Sequence, residues 1–192
     1  MQHGRAMVAF FLPQYASEQL DSFKEHFPPG SEVTPLQDYH ITLAYMPEVK
    51  DKELLREVVR GFAQNEHPIS GQIGGIGRFA HDEKGTNPFY TSFDAPVLPG
   101  FRQRLVEKLG QYGIAVSELH GFIPHCTMAY IPANTHNPAL VVPYIGVTFD
   151  CIWLASDDDR ERFPLVSTTM ELKKRLGPRA KALAGVIEYA KS

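Results

Sequence analysis

Two eight-residue stretches carry the side chains best suited to chemistry. "HITLAYMP" occupies residues 40–47 and "HCTMAYIP" residues 125–132, and five of the eight positions are identical. Histidine exchanges a proton near neutral pH, and threonine offers a hydroxyl that can donate a hydrogen bond. A neutral imidazole can take a proton from an attacking oxygen, while a protonated one can deliver a proton to a leaving oxygen. Threonine hydroxyls can donate to the non-bridging oxygens of a phosphoryl group, where negative charge grows in the transition state. Two of each make a kit for phosphodiester chemistry that calls for no metal or other cofactor. The candidate catalytic residues are therefore His40, Thr42, His125 and Thr127. A duplicated packing element without chemistry would explain the repeated Tyr45 and Tyr130 and the closing prolines. It would not explain why histidine begins both copies.

Those side chains need strands to carry them. Alternation along a strand sends successive residues to opposite faces. His40, Thr42 and Ala44 then share one face, and Ile41, Leu43 and Tyr45 the other; His125, Thr127 and Ala129 oppose Cys126, Met128 and Tyr130. On this reading both tyrosines pack into the core, and both alanines keep the polar face open. Pro47 and Pro132 end the strands. Two such strands in equivalent halves would turn two imidazoles and two hydroxyls toward one cleft.

The rest of the chain supplies a frame. Residues 6–12 read as a strand, and 16–27 as a helix with Ser17 as N-cap and Leu20, Phe23 and Phe27 inward. Residues 28–37 read as a loop. An amphipathic helix over 50–65 places Leu54, Leu55, Val58, Val59 and Phe62 on one stripe. The glycine-rich 67–80 reads as a strand with bulges or close backbone approach. Residues 81–88 form a polar loop that could flank the cleft, 89–95 a strand, and 99–113 a helix closed near Gly113. A long strand is expected over 144–156, a turn at 157–162 and a returning strand over 163–172. The order describes an α+β fold with antiparallel sheets. Residues 1–171 make one bilobed domain, and 172–192 a basic helical extension with six Lys and Arg against Glu188.

Composition narrows the function classes. A formal net charge of −3 and a pI of about 6.2 do not suit a protein that coats long duplex nucleic acid by charge. Cys126 and Cys151 are too few for a disulfide scaffold. The apolar run Met7–Leu12 is far too short to span a membrane, so a soluble, cytoplasmic monomer is expected. His120, His125, Cys126, His136 and Cys151 fit no zinc spacing, and the aspartates at 157–159 belong to a turn. The "GGIG" at 74–77 lacks the lysine and helix of a phosphate loop. Substrate contacts are assigned to Phe122, just before the second motif, to Lys84 in the polar loop and to Tyr90.

With its paired His-apolar-Thr-apolar motifs some 80–90 residues apart, the chain resembles the two-histidine (2H) phosphoesterase superfamily, which includes the 2′-5′ RNA ligase-like proteins and cyclic phosphodiesterases. The resemblance covers about residues 5–170. It implies two pseudo-twofold-related lobes whose antiparallel sheets line a central cleft, with helices outside. It implies that His40, Thr42, His125 and Thr127 are a catalytic tetrad acting without metal on a nucleotide or short RNA end. A 2′,3′-cyclic phosphate or a 2′-5′ linkage would be hydrolysed, or joined in reverse. Phage members of the superfamily cleave cyclic oligonucleotide or 2′-5′ immune signals, which gives a rival substrate. A module that binds RNA ends or nucleotides without turnover is the rival of a different class. Bacterial ligase-like members often carry arginine shortly after the motif, where this chain has Tyr45 and Tyr130.

Overall fold

In the computed structural model, residues 4–80, 85–119, 121–156 and 159–166 are described. Lys84, His120 and the extension 172–192 lie outside them. Nine strands and three α-helices are formed by these residues: β1 (Gly4–Phe11), α1 (Gln14–Asp21), β2 (Glu32–Val33), β3 (His40–Val49), α2 (Lys52–Ala63), β4 (Ile69–Arg78), β5 (Thr86–Asp94), α3 (Leu98–Gln111), β6 (His125–Pro132), β7 (Ile145–Phe149), β8 (Cys151–Ser156) and β9 (Asp159–Pro164). None of the described helices is long and apolar enough to cross a membrane.

The strands form one sheet in the order β7-β4-β5-β6-β3-β1-β8-β9, with β2 added alongside β6. Every neighbouring pair is antiparallel. The order falls into two sets of four that meet at β3 and β6, the strands bearing the two repeats. That junction is narrow, with Ile41 and Cys126 as its paired residues. The α+β class and the two related halves expected from the sequence are thus present.

The sheet is curled. In a flat sheet β1 and β7 would stand five strand spacings apart, roughly 24 Å. Instead Phe10 of β1 stacks on Phe149 of β7 at 4.5 Å between ring centroids. Phe93 of β5 meets Phe149 edge-on, and Phe101 of α3 packs against both Phe10 and Phe62 of α2. This aromatic cluster fills the inside of the curl and joins both halves into one core.

The helices follow local signals. Asp51 caps α2 by accepting a hydrogen bond from the Leu54 N–H at 2.9 Å, and Leu55, Val58, Val59 and Phe62 are buried. Leu54, assigned to the same stripe, is instead exposed. Gly113 just past α3 adopts φ +72°, a conformation glycine takes without strain. The first helix starts earlier than expected: the Pro13 carbonyl accepts from the Ala16 and Ser17 N–H groups, so Ser17 is a buried helical residue and not the cap. Phe23 and Phe27 fall beyond α1, flanking a short 3-10 turn, Lys24–His26.

Three strand expectations need correction. Residues 144–156 are two strands, and β7 and β8 lie in opposite halves of the sheet. The buried set is Ile145, Val147 and Phe149 in β7 but begins with Ile152 and Leu154 in β8, where Cys151 and Trp153 are only half-buried, so the alternation breaks where the chain changes sides. The expected turn at 157–162 overlaps β9, whose Asp159, Arg160, Glu161 and Arg162 sit on an edge strand. Charge suits such an edge, because it discourages pairing with another chain. The expected loop 28–37 contains β2, whose Glu32 and Val33 pair with Tyr130 and Ala129.

Candidate active site

The single β3–β6 contact organises the site. Ile41 and Cys126 are fully buried, and burial pushes the Cys126 thiol up to about 12, which makes it an inert packing residue. Continuing their antiparallel register one residue each way sets His40 across from Thr127 and Thr42 across from His125. The four side chains assigned from the sequence are therefore brought together, all half-buried.

Both imidazoles are held in the same way. His40 Nδ1 lies 2.6 Å from the Asp38 carbonyl oxygen, and His125 Nδ1 lies 2.6 Å from that of Ile123. A carbonyl only accepts, so Nδ1–H donates in each ring, and Nε2 is the acceptor nitrogen of each neutral ring. Burial pulls both rings below the ordinary 6.5. For His40 the carbonyl bond opposes burial, while the Arg160 and His125 charges reinforce it and Asp38 opposes it.

Each ring also has its own aromatic neighbours. Phe11 lies 5.5 Å from the His40 ring and meets Trp153 edge-on. Phe79 and Tyr90 lie 4.8 and 5.2 Å from the His125 ring and stack on one another at 4.3 Å. A Cβ at Gly77 would collide with the Tyr90 ring, so the glycine of "GGIG" serves close packing here.

Arg160 of β9 was not assigned from the sequence. Its guanidinium sits 4.4 Å from the Phe11 ring centroid, donates to the Gln37 carbonyl at 3.1 Å and pairs with the Asp38 carboxylate. The segment whose carbonyl orients His40 is thus clamped by a residue more than a hundred positions away. Arg102 of α3 plays a comparable part across the junction. It donates to the Leu43 carbonyl at 3.1 Å, pairs with Glu118 at 2.7 Å and covers the Phe122 ring at 4.6 Å.

A cavity of about 600 Å³ opens over this centre. Thr42, His125 and Thr127 line it, and His40 lies beside its lining, across from Thr127. Phe122 lines it too. Tyr90 does not, and buttresses His125 instead; Lys84 lies outside the described residues. Among the described residues no group of three His, Cys, Asp or Glu side chains could hold a metal ion.

Tyr45 and Tyr130 overturn the strand-parity expectation. Both are 39% exposed and both line the cavity, whereas Ala44 and Ala129 are buried. The cause is a β-bulge at the same point of each repeat. Val8 and Ala9 pair with Ala44 and Thr42, skipping Leu43; Phe89 and Tyr90 pair with Ala129 and Thr127, skipping Met128. One extra residue reverses every later side chain. The only trace in sequence is an apolar doublet, Leu43-Ala44 and Met128-Ala129, that interrupts the alternation.

With this geometry in view, comparison with known proteins decides the family. The family model of the 2′-5′ RNA ligase superfamily matches residues 12–161. The chain belongs to the 2′-5′ RNA ligase superfamily. Several proteins of known structure share its fold at low identity. TT0787 of Thermus thermophilus superposes with a TM-score of 0.67 at 21% identity, covering 85% of this chain and 99% of that one. LigT of E. coli, in crystals with NADP+, gives 0.64 at 17%, covering 86% and 96%; other LigT crystals hold 3′-AMP, ATP or phosphate. The ns2 PDE domain of MHV gives 0.54 at 14%, covering 80% and 99%. Among curated proteins, none matches significantly. This is the 2H phosphoesterase family that the paired motifs resemble.

Proposed function

We propose that this superfamily member is a metal-independent phosphodiesterase acting on a nucleotide or a short RNA end, with His40 and His125 as its acid–base pair. The carrying observation is the mirrored Nδ1–carbonyl bond, which leaves Nε2 outside that bond on each of two imidazoles, His125 in the cavity lining and His40 across from the lining residue Thr127. One neutral Nε2 takes the proton from an attacking water or ribose hydroxyl as the new P–O bond forms. The other, protonated, gives its proton to the departing ribose oxygen as the old P–O bond breaks. Thr42 and Thr127 donate to the non-bridging oxygens. Run backwards, the same transfers join two ends. Phe122 in the cavity wall offers a face to a base, and Lys84 stays a candidate substrate contact. The nucleotides held in LigT crystals support a ligand of this class.

The test is product analysis in excess EDTA with wild type beside the His40→Ala/His125→Ala double variant. The panel holds nucleoside 2′,3′-cyclic phosphates, 2′-5′ and 3′-5′ oligoadenylates, and cyclic di- and trinucleotides. Cleavage by wild type alone is expected, and the member cleaved separates RNA-end processing from destruction of a cyclic or 2′-5′ signal. Binding without any product would make the protein a binding module and overturn the proposal.

A further inference from the structure

The "GGIG" stretch of β4 stands outside the cavity lining, yet strand pairing ties it to the centre. Residues directly opposite one another in a ladder project from the same face. One step from Ile41 and Cys126, Thr42 stands across from His125. His125 pairs with Ser92, and Ser92 with Gly74. Continuing the Ile73–Ile145 pairing by one residue sets Tyr144 across from Gly74. A single row therefore crosses the sheet from Thr42 through His125, Ser92 and Gly74 to Tyr144. The row beside it, with Ile73, Phe93 and Ile145, is buried on the opposite face.

The glycines of this stretch seat aromatic rings. A Cβ at Gly74 would stand 2.5 Å from the Tyr144 ring, so that ring rests on the glycine and leans along the row toward His125. Gly77 seats Tyr90 in the same way, and Tyr90 lies 5.2 Å from the His125 ring. Tyr90 works as a buttress. Tyr144 does not, for it is 80% exposed and gains little from burial. The strand it begins is nevertheless pinned on both edges, by β4 and by the Tyr15 hydroxyl, which donates to the Gly146 carbonyl at 2.8 Å. Ser92, short and exposed, leaves the surface between His125 and the ring open.

The spacing decides what the ring can meet. At about 4.8 Å between strands, Gly74 lies roughly 12 Å from the β3–β6 junction. A phosphate at that junction keeps its own nucleoside inside the cavity. A base reaching Tyr144 belongs to chain that has already left the cavity over Ser92.

We propose that Tyr144, seated on Gly74, is a stacking platform for a nucleoside beyond the scissile one, and that the preferred substrate is a single-stranded oligonucleotide and not a mononucleotide. This rests on the reading of the centre as a phosphodiesterase. Stacking accepts any base, because every base has a π-face, so the platform selects for chain length and not for sequence.

The test uses two probe pairs, each sharing a scissile group. One is adenosine 2′,3′-cyclic phosphate beside a tetra-adenylate ending in that group; the other is 2′-5′-linked ApA beside its tetramer. Wild type, Tyr144→Ala and Tyr144→Phe are compared on whichever pair is cleaved. Wild type should show the lower KM for the tetramer. Tyr144→Ala should raise that KM by roughly 10- to 100-fold, the scale of one lost base stack, with kcat and the short probe little changed. Tyr144→Phe should stay near wild type, because the ring is retained. A tetramer KM unchanged in Tyr144→Ala would overturn the platform and leave the catalytic reading intact, and so would an equal loss on both members of the pair. Should wild type cleave none of the four, the catalytic reading fails, and calorimetry with the tetramers decides the platform. Weaker binding by Tyr144→Ala alone would sustain it; unchanged or absent binding would overturn it.

Discussion

At the scale of single residues, the site depends on two imidazoles fixed by the same backbone device. A carbonyl two residues upstream holds Nδ1–H in both cases, which settles the tautomer without a carboxylate partner. Burial lowers both rings from 6.5, and the sign has consequences. Between the folded values and 6.5 the native state binds fewer protons than the unfolded chain, so stability conferred above that window is lost as pH falls through it. On the proposed mechanism, one ring must be protonated while the other is neutral. The profile of kcat/KM against pH should be a bell whose optimum lies on the acid side of 6.5, with limbs belonging to the pair and not to either ring. An optimum above about pH 8 would contradict the assignment.

At the scale of elements, β9 and the segment before β3 form a support for His40. Arg160 holds Gln37 and Asp38, and the Asp38 carbonyl holds the ring. Arg160→Met should lower kcat by about 10- to 100-fold, the cost of a small misplacement of a catalytic group, with KM for substrate less affected. It should also move one limb of the pair's profile upward, since a cation beside His40 is lost and the Asp38 carboxylate is left unpaired. Arg160→Lys should restore the limb more than the rate. A variant with wild-type kcat and an unmoved profile would show that the clamp serves stability alone.

These same elements mark what the sequence made legible. The strands of the two repeats were readable because type and spacing recur together, and α2 was readable from its 3.6-residue stripe. β9 was hidden by its charges, which belong to an edge strand and look like a turn. The split of 144–156 was written as a phase change in the alternation at Asp150, which reading the segment as one strand passed over. The tyrosines were misplaced because parity assumes an unbroken ladder, and a bulge reverses it after one residue. Arg160 carries no local signal at all. Its role exists only once the edge strand is folded beside Gln37 and Asp38.

At the scale of the whole molecule, two sets of four strands meet at one residue pair and curl around a shared aromatic core. That arrangement gives the repeats matching backbones but different surroundings. His40 has Phe11, which Trp153 and Arg160 in turn contact, and His125 has Phe79 and Tyr90. On the proposed reading, near-symmetry supplies two like groups to one phosphate, and the unlike surroundings let one act as acid and the other as base. The central claim is that both imidazoles transfer protons on the same phosphodiester. Its most direct test is the turnover of His40→Ala and His125→Ala, each measured singly on the best-cleaved phosphodiester in excess EDTA. Each variant should lose about 10²–10⁴-fold in kcat. Near-normal turnover in both would contradict the account.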